Sequence, residues 1–156
     1  MKANRYFITS SIGVGITGLT SFDNALMDST LGNYNLVKVN SILPAKALRA
    51  MQVGCTEGNV LFTAFAHITP NKTVNILTAS VAVGIPKNDS NVGVIMELAC
   101  NEKIGKAEEN ITEMVKEAMS NRDIEIADIL VKSSSIEADG SGKYFTAFAA
   151  ISMWEE

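Results

Sequence analysis

The strongest constraint in this chain is a set of strand-length apolar runs that show almost no alternation. "NVLFTAFAHIT", "VNILTASVAVGI", "NVGVIMELAC" and "KYFTAFAAISMW" each carry apolar or small side chains at both odd and even positions. A strand with one wet face alternates apolar and polar residues, because successive side chains point to opposite sides. Runs that are apolar on both faces call for sheets covered on both sides, by helices and by a second sheet. One long helix is clear in "KAEENITEMVKEAMSN", where Ala107, Ile111, Met114, Val115 and Ala118 recur at helical spacing and charges fill the other face. A shorter one, "FDNALMDSTL", is capped by Thr20 or Ser21, ends at Gly32, has Asp23 in its first turn, and turns Phe22, Ala25, Leu26 and Ser29 inward. Strands with two helices predict an α+β fold layered as a sandwich.

Further strands are expected in "RYFITSS", over Tyr34 to Ile42, and in "IEIADILVKSSSIE". Turns fall at Pro70-Asn71-Lys72, at Pro86 to Asp89 and at Gly140 to Gly142. The glycines of "IGVGITG" have the spacing of a nucleotide-binding loop but neither the immediate helix nor the acidic partner, so a flexible link is expected. Lys46 to Gly58 is irregular and polar.

A chain of 156 residues is expected to form one domain with a real core. Its net charge of −4, with no cluster of basic residues, disfavours nucleic acid and anionic membrane as partners. No apolar run has the length of a membrane span, and the N-terminus lacks a signal-peptide core. Cys55 and Cys100 are far apart in sequence, which points to two unpaired thiols in a cytoplasmic protein. No CxxC, HExxH or Walker-type spacing occurs, so no metal site is expected, and the single histidine, His67, sits in a strand as a structural residue.

The segment "GNYNLVKVNSILP" carries the chemistry. Gly32, Asn33, Asn35, Leu36, Ser41, Ile42, Leu43 and Pro44 resemble the pyruvoyl-dependent arginine decarboxylase family, in which a G-N-x-N-L segment leads through a strand to a serine and a proline. "FDNAL" at Phe22 to Leu26, "SVAVGIPKNDSNVGVIMEL" and "FAAISMW" match further motifs of that family in order, so the likeness runs from about Tyr6 to Trp154. The resemblance implies an αββα sandwich and a trimer of cleaved protomers with active sites between neighbours. It also implies a covalent pyruvoyl cofactor made from Ser41. The serine hydroxyl attacks the carbonyl of Asn40, the chain shifts from amide to ester, and elimination leaves a dehydroalanine that hydrolyses to the pyruvoyl group. Cleavage between Asn40 and Ser41 would give a β chain of residues 1–40 and an α chain of residues 41–156. Asn40 departs from the family, which usually has serine or threonine there.

Roles for other residues follow from the same resemblance. Glu97 matches the general acid. It is also the only charged residue between Val92 and Cys100, and a carboxyl buried among aliphatic groups holds its proton more tightly. Asn35 matches a residue that polarises the scissile carbonyl; by itself it reads as a turn residue closing "GNYN". Asp23 matches the aspartate that receives the arginine guanidinium through two parallel bonds. Leu26 and Ile42 would line the aliphatic part of the pocket, or serve as core. The implied reaction is arginine to agmatine and CO2, feeding polyamine synthesis or acid resistance. A decarboxylase of another amino acid, and an uncleaved trimeric paralogue that binds a small molecule or acts structurally, remain open beside it.

Overall fold

A computed structural model describes residues 2–40, 42–70 and 75–156. Ser41 and the Asn71-Lys72 part of the Pro70 turn lie outside the described residues. The apolar runs do form strands: β5 (Val60–Ile68), β6 (Ile76–Pro86), β7 (Gly93–Cys100) and β9 (Tyr144–Trp154). Every residue of β9 after Tyr144 is buried, and the two-residue period explains how. Phe145, Ala147, Ala149, Ile151 and Met153 face one core, while Phe148, Ala150 and Trp154 face another.

Two sheets result. With β1 (Arg5–Gly15), β2 (Asn35–Lys38), β3 (Ile42–Leu43), β4 (Leu48–Arg49) and β8 (Ile126–Glu137), the five-stranded sheet has the order β2-β5-β9-β1-β4 and the four-stranded sheet β3-β7-β6-β8. Their facing sides share the core of Tyr6, Ile8, Ala64, Val81, Val83 and Ile95. Helix α1 (Gly18–Asp28) closes the outer side of the first sheet over Ala25, Leu61 and Phe148. Helix α2 (Ile104–Ser120) closes the second over Ala82, Val94, Ile111 and Val115. The four layers are therefore the expected αββα sandwich. On α2 the buried methionine is Met119, and Met114 is only partly covered.

Three local expectations are corrected. The short helix starts earlier, because Thr17 accepts from the Thr20 amide while Thr20 Oγ1 accepts from the Thr17 amide, a reciprocal cap. Asp23 is then the sixth helical residue, beyond the first turn, so complementing the helix dipole does not account for it. The helix also stops before Gly32. Thr30 takes the left-handed conformation (φ 68°), and the amides of Leu31 and Thr30 return to the carbonyls of Leu26 and Met27 at 3.0 and 3.1 Å.

The glycine-rich stretch is strand rather than flexible link, since β1 pairs with β9 out to Gly15. A Cβ at Gly13 would lie 1.9 Å from the Ser21 carbonyl oxygen, and one at Gly15 would lie 2.5 Å from the Ser21 nitrogen. These glycines let α1 rest directly on the strand.

The expected strand from Tyr34 to Ile42 is in fact two strands in different sheets. Residues Asn35 to Lys38 run parallel to β5, whereas Ile42 and Leu43 pair with Val94 and Gly93 of β7. The polar segment after Lys46 is also less irregular than its composition suggests, since Leu48 and Arg49 add a short edge strand beside Arg5 and Tyr6.

Candidate active site

The chain changes sheets at the segment singled out by its sequence. The Val39 amide makes the last bond to the first sheet, donating to the Thr63 carbonyl at 3.2 Å. Three residues on, Ile42 and Leu43 belong to the second sheet, with Leu43 buried in the shared core. Between these anchors the Ile42 amide donates back to the Asn40 carbonyl at 3.0 Å. A hydrogen bond spanning two residues is the tightest return a backbone makes, and here it puts a donor on the carbonyl that precedes Ser41. Ser41 itself is outside the described residues. Beside this crossing lies a cleft of about 440 Å³, lined by Val39, Asn40, Ile42, Phe62 and Met153 among others. That volume lies within the range of small-molecule sites, roughly 300–1,000 Å³.

Glu97 lies on β7 opposite Val81, and its side chain is only 16% exposed. Its counter-ion comes from the other sheet: Lys38 Nζ stands 3.2 Å from Glu97 Oε2. The same ammonium donates to the Phe65 carbonyl at 3.0 Å and sits 4.8 Å above the Phe65 ring. Lys38, two residues before Asn40, thus ties Glu97 to the strand that leads into the crossing. Nothing in the local pattern of either strand singles out Lys38.

Asn35 stands at the opposite end of β2. Its side-chain amide donates to the Gly58 carbonyl at 2.7 Å and its backbone amide to Asn59 at 2.9 Å. Asn33 completes the link, donating to Glu57 at 2.8 Å. "GNYN" therefore closes against the turn that precedes β5, as its turn chemistry suggests. Asn35 and Asn40 are five positions apart, up to about 16 Å of extended chain, and the Asn40 carbonyl accepts from the Ile42 amide.

Asp23 is exposed on α1 and makes no hydrogen bond or ion pair among the described residues. Leu26 is half-buried between α1 and the first sheet, packed with Leu31 and Phe148. Ile42 is 37% exposed and lines the cleft. Asn40 and Ile42 thus line the cleft at the crossing, Lys38 joins Glu97 to the strand before it, and Asp23 and Leu26 lie on the helix.

His67 continues a row of rings from Phe65, at 6.0 Å, to Phe22, at 4.6 Å. Partial desolvation by this packing, and then the charge of Lys38, pull its pKa below the ordinary imidazole value. Cys55 and Cys100 are both free. Among the described residues no three metal-ligating side chains cluster, and no helix is long and apolar enough to cross a membrane.

Comparison with known proteins agrees in extent with the motifs. The family profile described as "Pyruvoyl-dependent arginine decarboxylase" matches residues 5–156. Proteins named pyruvoyl-dependent arginine decarboxylase are similar over most of their length. The one from Methanococcus vannielii is 30% identical over 97% of this chain and 90% of its own. That from Methanocaldococcus jannaschii is 31% identical over the same shares. That from Thermococcus kodakarensis is 36% identical over 85% of this chain and 84% of its own.

Proposed function

The chain belongs to the pyruvoyl-dependent arginine decarboxylase family, and we propose that it cleaves itself between Asn40 and Ser41 and then converts arginine to agmatine and CO2. The observation that carries this reading is the crossing itself. The Asn40 carbonyl accepts from the Ile42 amide at 3.0 Å, and Asn40 lines a cleft large enough for an amino acid. A donor on that oxygen stabilises the charge that develops when a nucleophile attacks its carbon.

The Ser41 hydroxyl adds to the Asn40 carbonyl carbon, its proton passes to the peptide nitrogen, and the C–N bond gives way to an ester. Elimination removes the Cα proton to solvent, breaks the Cβ–Oγ bond, releases Asn40 as a carboxylate and leaves dehydroalanine at position 41. Water then adds and ammonia departs. Only backbone atoms of Asn40 take part, so its amide side chain does not block the step. The residues present would suit the group so formed: Val39, Asn40 and Ile42, its neighbours in sequence, line the cleft, whose other lining residues are apolar. The pyruvoyl group supplies an electron sink for the pair left behind when CO2 departs.

The other residues bind and move protons. Asp23 receives the guanidinium through paired charge-assisted bonds, Leu26 and Ile42 flank the aliphatic stem, and Glu97 returns a proton to the carbon that lost CO2. Asn35 supports the site from the far end of β2 by fixing the strand that delivers Asn40. The family resemblance implies a trimer of cleaved αβ units with sites between neighbours, and Asp23, exposed on the outer helix with no ion pair among the described residues, suits a pocket completed there. Exposed apolar side chains support such contacts: Ile16 is 82%, Leu19 78% and Met51 85% exposed. Free Cys55 and Cys100 suit a reducing, cytoplasmic setting.

Denaturing mass spectrometry of freshly purified protein tests this. Fragments 1–40 and 41–156, the larger about 17 Da lighter than one starting at an ordinary serine, together with agmatine from arginine, are expected. Ser41→Ala should stay intact. A wild-type chain that remains 16.7 kDa through long incubation would replace this reading with the non-catalytic, uncleaved one, for which Asn40 speaks. A fragment with an unmodified serine amine would indicate asparagine cyclisation instead.

A further inference from the structure

We propose that Lys38 is a positioning residue that holds the Glu97 carboxylate across the gap between the sheets, and that this hold outlasts the cut. The inference rests on the proposed function and deepens it, since it concerns what keeps that carboxylate in place once the chain is severed.

Strand β2 is four residues long and lies at the sheet edge, with β5 its only neighbour among the described residues; three of its four residues are exposed. In the uncut chain it is tethered on both sides, by the Gly58 turn and by the crossing to β3. Cleavage after Asn40 removes the second tether and leaves Lys38 two residues from a new C-terminus. What remains at that end is the pairing of Lys38 with Thr63, the Val39 amide bond to the Thr63 carbonyl, the Val39 side chain packed on the shared core, and the reach of the Lys38 side chain. That one side chain joins both sheets, and it also joins both products of the cut: residues 1–40 contribute Lys38, residues 41–156 contribute Phe65 and Glu97.

An ordinary surface ion pair leaves both partners free to wander and contributes little. Here the ammonium is held by three groups at once: the Phe65 carbonyl at 3.0 Å, the Phe65 ring at 4.8 Å and Glu97 Oε2 at 3.2 Å. The stem of Lys38 remains open to solvent, with 59% of the side chain exposed, but the carboxylate it grips is 16% exposed. Lys38 is the only ion-pair partner of Glu97 among the described residues, and it engages a single oxygen. Oε1 makes no hydrogen bond or ion pair among the described residues. Lys38 therefore sets where the carboxyl group stands through contact with Oε2. It touches no reacting atom itself.

The test is a pair of variants studied as purified holoproteins beside the wild type, with cleavage read by denaturing mass spectrometry and kcat and KM measured on arginine. Lys38→Met keeps the stem over Phe65 and removes the charge; Lys38→Arg keeps a cation of similar reach. A group displaced by about 1 Å costs on the order of 100-fold in rate. Lys38→Met is therefore expected to cleave like the wild type and keep KM within about twofold, while kcat falls roughly 10- to 100-fold. Lys38→Arg should return kcat to within about fivefold of the wild type, which a purely steric role would not produce. A Lys38→Met enzyme with wild-type kcat, with a change confined to KM, or blocked in cleavage overturns the proposal while the decarboxylase reading stands. A wild type that neither cleaves nor consumes arginine overturns the proposed function, and the assignment of Lys38 with it.

Discussion

Replacing Gly13 with alanine probes the closest approach in the fold and its link to function. Helix α1 lies so near β1 that the new methyl group would stand 1.9 Å from the Ser21 carbonyl oxygen and 2.4 Å from the Ala25 nitrogen. Both obstacles are backbone, so no side chain can rotate away. Ordinary contact distances are about 3.5 Å, so the helix would have to retreat by roughly 1.5 Å. That retreat breaks two buried hydrogen bonds, from Ser11 Oγ to the Ala25 carbonyl at 2.6 Å and between the Ser21 and Thr146 hydroxyls at 2.7 Å. Each costs about 1–3 kcal/mol once its groups are left unpaired. With the looser packing around Ala25, which is fully buried, the loss should reach about 3–5 kcal/mol. For a domain of this size that lowers Tm by roughly 6–20 °C, which thermal unfolding monitored by circular dichroism would detect. Gly105→Ala is the matched control, because a Cβ there meets nothing within 4 Å. It should be neutral or stabilising by about 0.5 kcal/mol. Since α1 also carries Asp23, the Gly13 variant should lose arginine turnover as well. A Tm for Gly13→Ala within 2 °C or so of the control would refute the contact as described.

Three further perturbations address other joints. Thr30→Gly relieves a left-handed residue (φ 68°) at the end of α1 and should raise stability by about 0.5–1 kcal/mol in chemical denaturation; a loss would contradict the cap. Asp23→Asn removes a charge that has no partner among the described residues of the protomer. Stability should hold, while the KM for arginine rises on the order of 10- to 100-fold with the loss of a charge-assisted pair; unchanged KM would separate Asp23 from the guanidinium. The third is His67, whose folded-state pKa lies below its unfolded value near 6.5. The unfolded chain therefore binds more protons just below that pH, and stability falls as pH drops through 6.5 toward the folded pKa. His67→Asn should flatten that part of a Tm-versus-pH curve, and an equal slope in both proteins would assign it to other groups.

Much of the fold could be inferred from local pattern. The unalternating runs in β5, β6, β7 and β9 and the helical spacing of α2 each reported a face that had to be covered, and the structure covers those faces. Inference failed where a contact from elsewhere decided the outcome. Gly13 and Gly15 looked like a loop because glycine disfavours strands, yet they are strand residues cleared for the backbone of α1. The stretch from Tyr34 to Ile42 looked like one strand because its composition barely changes across Asn40, and no local term distinguishes an edge strand of one sheet from the start of the next. The first turn of α1 was misplaced because Thr17 and Thr20 cap each other as effectively as the later serine could.

The sequence by itself therefore determined the doubly covered sheets, the two helices and the family, through periodicity and the order of short motifs from Phe22 to Trp154. Only the tertiary structure decided that the chain leaves one sheet at Lys38 and joins the other at Ile42, that Ile42 donates to the Asn40 carbonyl, and that Lys38 meets Glu97 across the gap. The physical reason is that periodicity records how much of each residue is buried, whereas it carries no record of what buries it. Residues 38 and 97 meet only after two sheets have formed and packed, and that closure is set by the core between them.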